Sequence, residues 1–119
     1  MLAFNVITEN PLFIIPILTG FIFCIVGAIM LKFPPKTINS LYGYRTLISM
    51  KSQERWDFAQ RYSAQKLIEW GFILMLIALL GCFFRLPSAF GVIAGLLLMI
   101  VCVAIPIIKT EKELRQRFK

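Results

Sequence analysis

Three blocks of the chain are apolar almost without interruption, and the polar residues lie between and after them. The first block runs from about Pro11 to Leu31 and holds no charged side chain. The second runs from about Leu67 to Phe84, with Glu69 near its start as the one charge. The third runs from about Ser88 to Ile108 and is again uncharged. Roughly 20 apolar residues in a helix cross the hydrocarbon core of a bilayer, and each block is near that length. The pattern predicts an all-α integral membrane protein with three transmembrane helices in a single domain over residues 1–119.

Local signals set the expected ends. Asn10 before Pro11 combines an N-cap side chain with a proline that needs no N–H partner. Pro16 is expected to bend the first turns. Lys32 and the pair Pro34-Pro35 end the first helix. Ser52 can cap a helix that carries Glu54 in its first turn, where the helix dipole favours a carboxylate. No Gly or Pro interrupts Gln53 to Trp70. One helix is therefore expected from about Gln53 to Phe84, an extension of the second span into the polar loop. Trp56, Ala59 and Ser63 share one face of it, expected to pack on the Asn39–Thr46 segment or the membrane surface. Phe58 and Tyr62 pair at i, i+4. After Arg85-Leu86-Pro87, Ser88 is expected to cap the third helix.

Charge gives the three spans a direction. The loop of about residues 32–66 carries Lys32, Lys36, Arg45, Lys51, Arg55, Arg61 and Lys66 against Glu54 and Asp57. The tail carries Lys109, Lys112, Arg115, Arg117 and Lys119. Before the first span there is no Lys or Arg, and Arg85 stands alone between the second and third. Short Lys/Arg-rich segments stay in the cytoplasm. The loop and C-terminus are expected inside and the N-terminus outside, in a bacterial plasma membrane, and three crossings satisfy that parity. The first apolar run lacks a positive n-region and is long enough to span, so no cleavable signal peptide is expected. The net charge of +7 from 13 basic and 6 acidic residues fits this topology and anionic lipid headgroups. Its positives flank apolar spans, and no nucleic acid partner is expected.

Candidate chemistry is sparse. Histidine is absent, and Cys24, Cys82 and Cys102 each sit inside an apolar run as small buried hydrophobes. No metal, cofactor or disulfide framework is expected. Glu69 follows Lys66 by about one turn; it is read as a headgroup-level residue paired with Lys66 or Arg45, or else as a functional intramembrane carboxylate. Gly91 and Gly95 are four apart in the third span and serve close helix packing, within the chain or in a homo-oligomer. The most unusual stretch is Asn39-Ser40-Leu41-Tyr42-Gly43-Tyr44-Arg45-Thr46. Gly43 allows positive φ or close backbone approach. Arg45 offers a planar fork of donors for a lipid phosphate or a carboxylate such as Asp57. Tyr42 and Tyr44 suit an interface.

The string Asn39, Tyr42-Gly43-Tyr44-Arg45-Thr46, Ser49-Met50, Trp56, Ala59 and Arg61 resembles the signature of the SdpI-like family, the immunity proteins of the bacterial sporulation-delaying-protein system. Pro34-Pro35 and the following apolar span fit as well. Gln60 stands where that pattern usually has asparagine, and Leu47 where it usually has proline. Members with the immunity role are longer, so this chain resembles the minimal family domain. The resemblance implies a multi-span bacterial membrane protein that protects against a membrane-active toxic peptide. In the founding system it also implies signalling, by holding a cytoplasmic repressor at the membrane. The motif residues Asn39, Tyr42, Gly43, Tyr44, Arg45, Thr46, Trp56, Gln60 and Arg61 are then either a ligand site or internal scaffolding. Asn39 and Thr46 are expected to hold loop backbone groups, and Trp56 to anchor the loop end of the second helix. Binding is the first reading. A small membrane enzyme using Glu69, Arg45 and the tyrosines, or an oligomeric structural or transport component, is the alternative.

Overall fold

The computed structural model describes residues 9–118. It places three α-helices in the order α1 (Pro11–Lys32), α2 (Gln53–Gly81) and α3 (Ser88–Arg117). All three are long and apolar enough to cross a membrane, by length and composition. They have 22, 29 and 30 residues, or roughly 33, 44 and 45 Å at about 1.5 Å per residue. A hydrocarbon core takes about 30 Å. The surplus of α2 and α3 therefore projects beyond it, and the two surpluses meet at one end of the molecule. There Arg55 Nη2 donates to Phe118 O at 3.1 Å, and the Phe58 and Phe118 rings meet edge-on at 5.9 Å.

The helix starts follow the expected chemistry in two cases of three. Asn10 Oδ1 accepts from Leu12 N at 3.1 Å, capping α1. Ser52 Oγ accepts from Arg55 N at 3.2 Å, capping α2. Ser88 does not cap α3. It is the first helical residue, Pro87 holds the cap position with extended backbone, and no side chain caps it. Pro87 locks its own φ near the value the cap geometry allows, so the turn forms without a side-chain acceptor.

Two ends differ from expectation. α2 stops at Gly81 rather than near Phe84. Cys82, Phe83 and Phe84 N–H groups bond three residues back, to Leu79, Leu80 and Gly81 carbonyls, the tighter turn typical of helix ends. Asn10 Nδ2 then takes up Gly81 O at 3.0 Å and Phe84 O at 3.3 Å. One side chain thus caps α1 and closes the end of α2. At the other end of the chain, the apolar block of α3 ends near Ile108 but the helix continues to Arg117. No Gly or Pro follows Pro106 to stop it, and Thr110 Oγ1 donates to Pro106 O at 2.7 Å.

The helices touch through small residues. A Cβ added to Gly20 would lie 2.5 Å from Gly71 O, and one added to Gly71 would lie 2.7 Å from Gly20 O. Further along the antiparallel seam, Gly27 faces Ala64 O at 2.9 Å and Gly81 faces Leu12 O at 2.6 Å by the same measure. Glycine is required here because two backbones meet without intervening side chains. Of the expected pair in α3, a Cβ on Gly95 would meet Ile15 Cδ1 at 2.9 Å, whereas one on Gly91 would meet Pro11 at an ordinary 3.5 Å. Both glycines face α1 of the same chain. Within the three apolar windows only 17–22% of residues are buried. Phe21, Ile22, Phe72, Leu76, Phe90 and Leu97 are among the large side chains left outward. Such a band is stable against lipid and not against water.

Candidate functional site

The loop after α1 folds back on the projecting half of α2. Phe33 N bonds Ile29 O at 2.7 Å, and the chain then turns through Pro34 and Pro35. Pro35 is buried, and its carbonyl accepts from Trp56 Nε1 at 2.7 Å. Trp56 is fully buried. Its face therefore packs on the loop, with Ala59, Gln60 and Ser63 buried beside it. Gln53 Nε2 donates to Lys36 O at 2.6 Å and to Asp57 Oδ1 at 2.7 Å. Asn39 makes a side-chain turn: its Oδ1 accepts from Leu41 N and Tyr42 N at 2.9 and 2.7 Å, and its Nδ2 donates to Thr37 O at 2.9 Å. Tyr42 hydroxyl returns to Phe33 O at 2.9 Å.

The centre of the site is a closed amide pairing. Gln60 Oε1 accepts from Tyr44 N at 2.6 Å, and Gln60 Nε2 donates to Tyr44 O at 2.8 Å. The side chain of a buried helical residue thus acts as a strand edge for one residue of the loop. Gly43 makes this possible. Its φ is +107°, the only positive φ among the described residues, and a Cβ there would lie 2.5 Å from Gln60 Oε1 and 2.7 Å from Pro35 Cγ. Beyond Tyr44, Thr46 and Ser49 cap each other: Thr46 N donates to Ser49 Oγ at 2.8 Å and Ser49 N to Thr46 Oγ1 at 3.2 Å. Ser49 Oγ also reaches Tyr44 O at 3.3 Å.

Tyr44 carries the loop across to α3. Its hydroxyl lies 2.7 Å from Glu111 Oε1 and 3.2 Å from Ile107 O. Burial pushes that hydroxyl well above the ordinary tyrosine range, and the hydrogen bond and charge of Glu111 push it further. It remains a donor at every physiological pH, which a carboxylate acceptor requires.

The basic residues stand apart from this network. The sequence places Arg45 on a lipid phosphate or on a carboxylate such as Asp57. Its guanidinium donates to Ser40 O, Asp57 accepts from Gln53 Nε2, and no Arg45–Asp57 ion pair forms among the described residues. Arg61 and Lys36 are exposed. Glu69 pairs with Lys66 Nζ at 2.9 Å and is itself exposed; Arg45 is not its partner. Phe58 and Tyr62 stack at 5.4 Å as their spacing predicts. Among the described residues no cluster of three His, Cys, Asp or Glu is placed to hold a metal.

Several working residues escape a reading of the sequence. Glu111 sits 67 positions from Tyr44, and nothing local distinguishes it from the other acids of the tail. Gln53 reads as an ordinary first-turn helix residue. Pro35 reads as a helix breaker, although its carbonyl anchors Trp56. Ser49 does have a readable signal, a hydroxyl residue three positions after Thr46 and just before a helix.

A three-helix, membrane-spanning chain with its inter-helix loop sewn to the projecting ends of two helices is the class that this geometry defines. The chain belongs to the SdpI/YfhL protein family, whose family model matches residues 36–109. That stretch takes in most of the loop, all of α2 and most of α3. The chain is 41% identical over 96 residues to the uncharacterized protein YfhL of Bacillus subtilis (strain 168), covering 81% of this chain and 82% of that protein. No solved structure matches the chain.

Proposed function

We propose that this membrane protein acts by binding, as a small toxin-immunity or signalling protein of the bacterial plasma membrane. The N-terminus lies outside, and the folded loop with the projecting ends of α2 and α3 forms a platform in the cytoplasm. The observation that carries the reading is how the motif is spent. Gln60, Tyr44, Trp56 and Asn39 are consumed in fixing the loop, and the side chains left outward include Lys36, Arg45, Lys51 and Arg61. A preformed basic platform suits an acidic partner surface and costs little ordering on binding. The family resemblance points the same way, toward protection against a membrane-active peptide or capture of a cytoplasmic regulator. The groups that a membrane enzyme would need do not converge. Glu69 is paired with Lys66, the Tyr44 hydroxyl with Glu111, and Arg45 with Ser40 O.

The test is a strain lacking the chain, challenged with a panel of membrane-active peptides. It should be killed at lower doses than the parent, and the intact chain supplied in trans should restore survival. Gln60→Ala, which releases the loop, should restore little while still reaching the membrane fraction. Equal sensitivity of deleted and complemented strains across the panel would refute the immunity reading.

A further inference from the structure

A cavity of about 460 Å³ lies where the end of α1, the proline turn and the projecting half of α2 meet. Its lining divides by chemistry. Met30 and Leu31 close one side at the last turn of the apolar block of α1, and Pro34 and Pro35 form the adjacent wall. Lys36, Asp57, Gln60, Arg61 and Gln65 supply the polar part, with the Gln60 amide already spent on Tyr44. The boundary between the two parts is also the boundary of the membrane band, since Lys32 ends the uncharged run of α1 and Leu67 begins the apolar block of α2. The cavity therefore sits at headgroup depth.

We propose that this cavity binds the phosphodiester headgroup of an anionic phospholipid, with Lys36 and Arg61 on the phosphate and Met30 and Leu31 against the first acyl carbons. The proposal stands apart from the immunity reading and needs only that α1 and α2 cross the bilayer. Two cations and the Asp57 carboxylate leave one net positive charge, the complement of the single negative charge of a phosphodiester. Lys36 and Arg61 make no ion pair within 4.0 Å among the described residues, where the one such pair is Lys66–Glu69. Asp57 is already held by Gln53 Nε2 at 2.7 Å. The site is also built in advance. Trp56 fixes Pro35 by its carbonyl at 2.7 Å, and Gln53 fixes the Lys36 backbone at 2.6 Å. Pro34 and Pro35 have no N–H to offer, and the side chains of Lys36, Arg61 and Gln65 supply donors for the anion. Guanidinium and ammonium groups do this well, and a volume of this size is ordinary for a small-ligand site.

The full chain, purified in a neutral detergent, is supplied with dioleoylphosphatidylglycerol or dioleoylphosphatidylcholine, and retained lipid is counted by native mass spectrometry. One phosphatidylglycerol should be retained, at least about tenfold more than phosphatidylcholine. Lys36→Gln with Arg61→Gln should lower that retention roughly 10- to 30-fold, the worth of two basic residues at a membrane surface. Lys112→Gln with Arg115→Gln, a basic pair on α3 outside this cavity, should leave it unchanged. Both cavity side chains are exposed, so circular dichroism should show the helices intact in each variant. Equal retention by the cavity variant and the parent overturns the proposal. Equal loss in both double variants overturns it too, by assigning the effect to bulk charge. Displacement of the lipid by millimolar inorganic phosphate would make this a free-phosphate site and would overturn the lipid assignment.

Discussion

Gln60 is a polar residue buried to 1% exposure, and its burial is tolerable because both ends of its amide are satisfied by the Tyr44 backbone. Removing it leaves the part-buried Tyr44 N–H without a partner and its carbonyl with only Ser49 Oγ, and opens a hole where the buried side chain stood. An unpaired buried donor of this kind costs about 1–3 kcal/mol. Gln60→Ala should therefore destabilise the fold by about 2–3 kcal/mol, read as a lower unfolding temperature in detergent and faster proteolysis between residues 36 and 51. Tyr44 gives a second prediction at this scale. Its hydroxyl holds its proton above the ordinary value of 10.0, so the folded state binds that proton more tightly than the unfolded chain does. The stabilisation is complete below about pH 10 and is lost as pH rises beyond it. The stability gap between the parent and Tyr44→Phe should be constant from pH 6 to 9 and should narrow above 10. A gap that stays constant to pH 11 would show that burial of the hydroxyl does not act this way.

At the scale of elements, the helix pairs are held by contacts of unequal strictness. The α1–α2 seam brings the Gly20 and Gly71 backbones together, and a Cβ on Gly71 meets Gly20 O at 2.7 Å. A backbone atom cannot swing aside, so the helices must part. Overpacking of this kind costs about 1–3 kcal/mol. Gly91, by contrast, leaves ordinary van der Waals room, 3.5 Å to Pro11. Gly71→Ala should lower the unfolding temperature clearly, and Gly91→Ala should stay within about 0.5 kcal/mol of the parent. Comparable loss in the two variants would mean that Gly91 meets something besides α1, such as a second copy of the chain.

For the whole molecule, the projecting ends of α2 and α3 and the loop are one assembly. Tyr44 and Glu111 join the loop to α3, and Arg55 joins α2 to Phe118. They must therefore lie on the same side of a membrane. The excess of Lys and Arg in both segments is the ground on which we propose that this side is the cytoplasm. A green fluorescent protein fused after Lys119 should fluoresce, and alkaline phosphatase fused there should be inactive. The reverse pattern would turn the platform outward and remove the cytoplasmic regulator from consideration.

The sequence by itself determined the three spans, the caps at Asn10 and Ser52, the single long second helix and the family motif. Those features depend on runs of hydrophobicity or on residues within one turn of each other, and local physics suffices to read them. It also singled out Gly43, Tyr44, Gln60 and Trp56 without showing what they touch. Tertiary structure alone decided that Gln60 closes on Tyr44, that Trp56 holds Pro35 and that Glu111 receives the Tyr44 hydroxyl. It also decided that Arg45 turns to Ser40, and that Gly20, Gly27, Gly71 and Gly81 form the tightest seam. Each of those pairings except the Arg45 contact joins residues from different elements, and several glycines in apolar runs look alike until their facing helix is known. The loop's polar side chains had many possible partners along the chain, and folding selected those that leave no buried side-chain polar atom unsatisfied among the described residues.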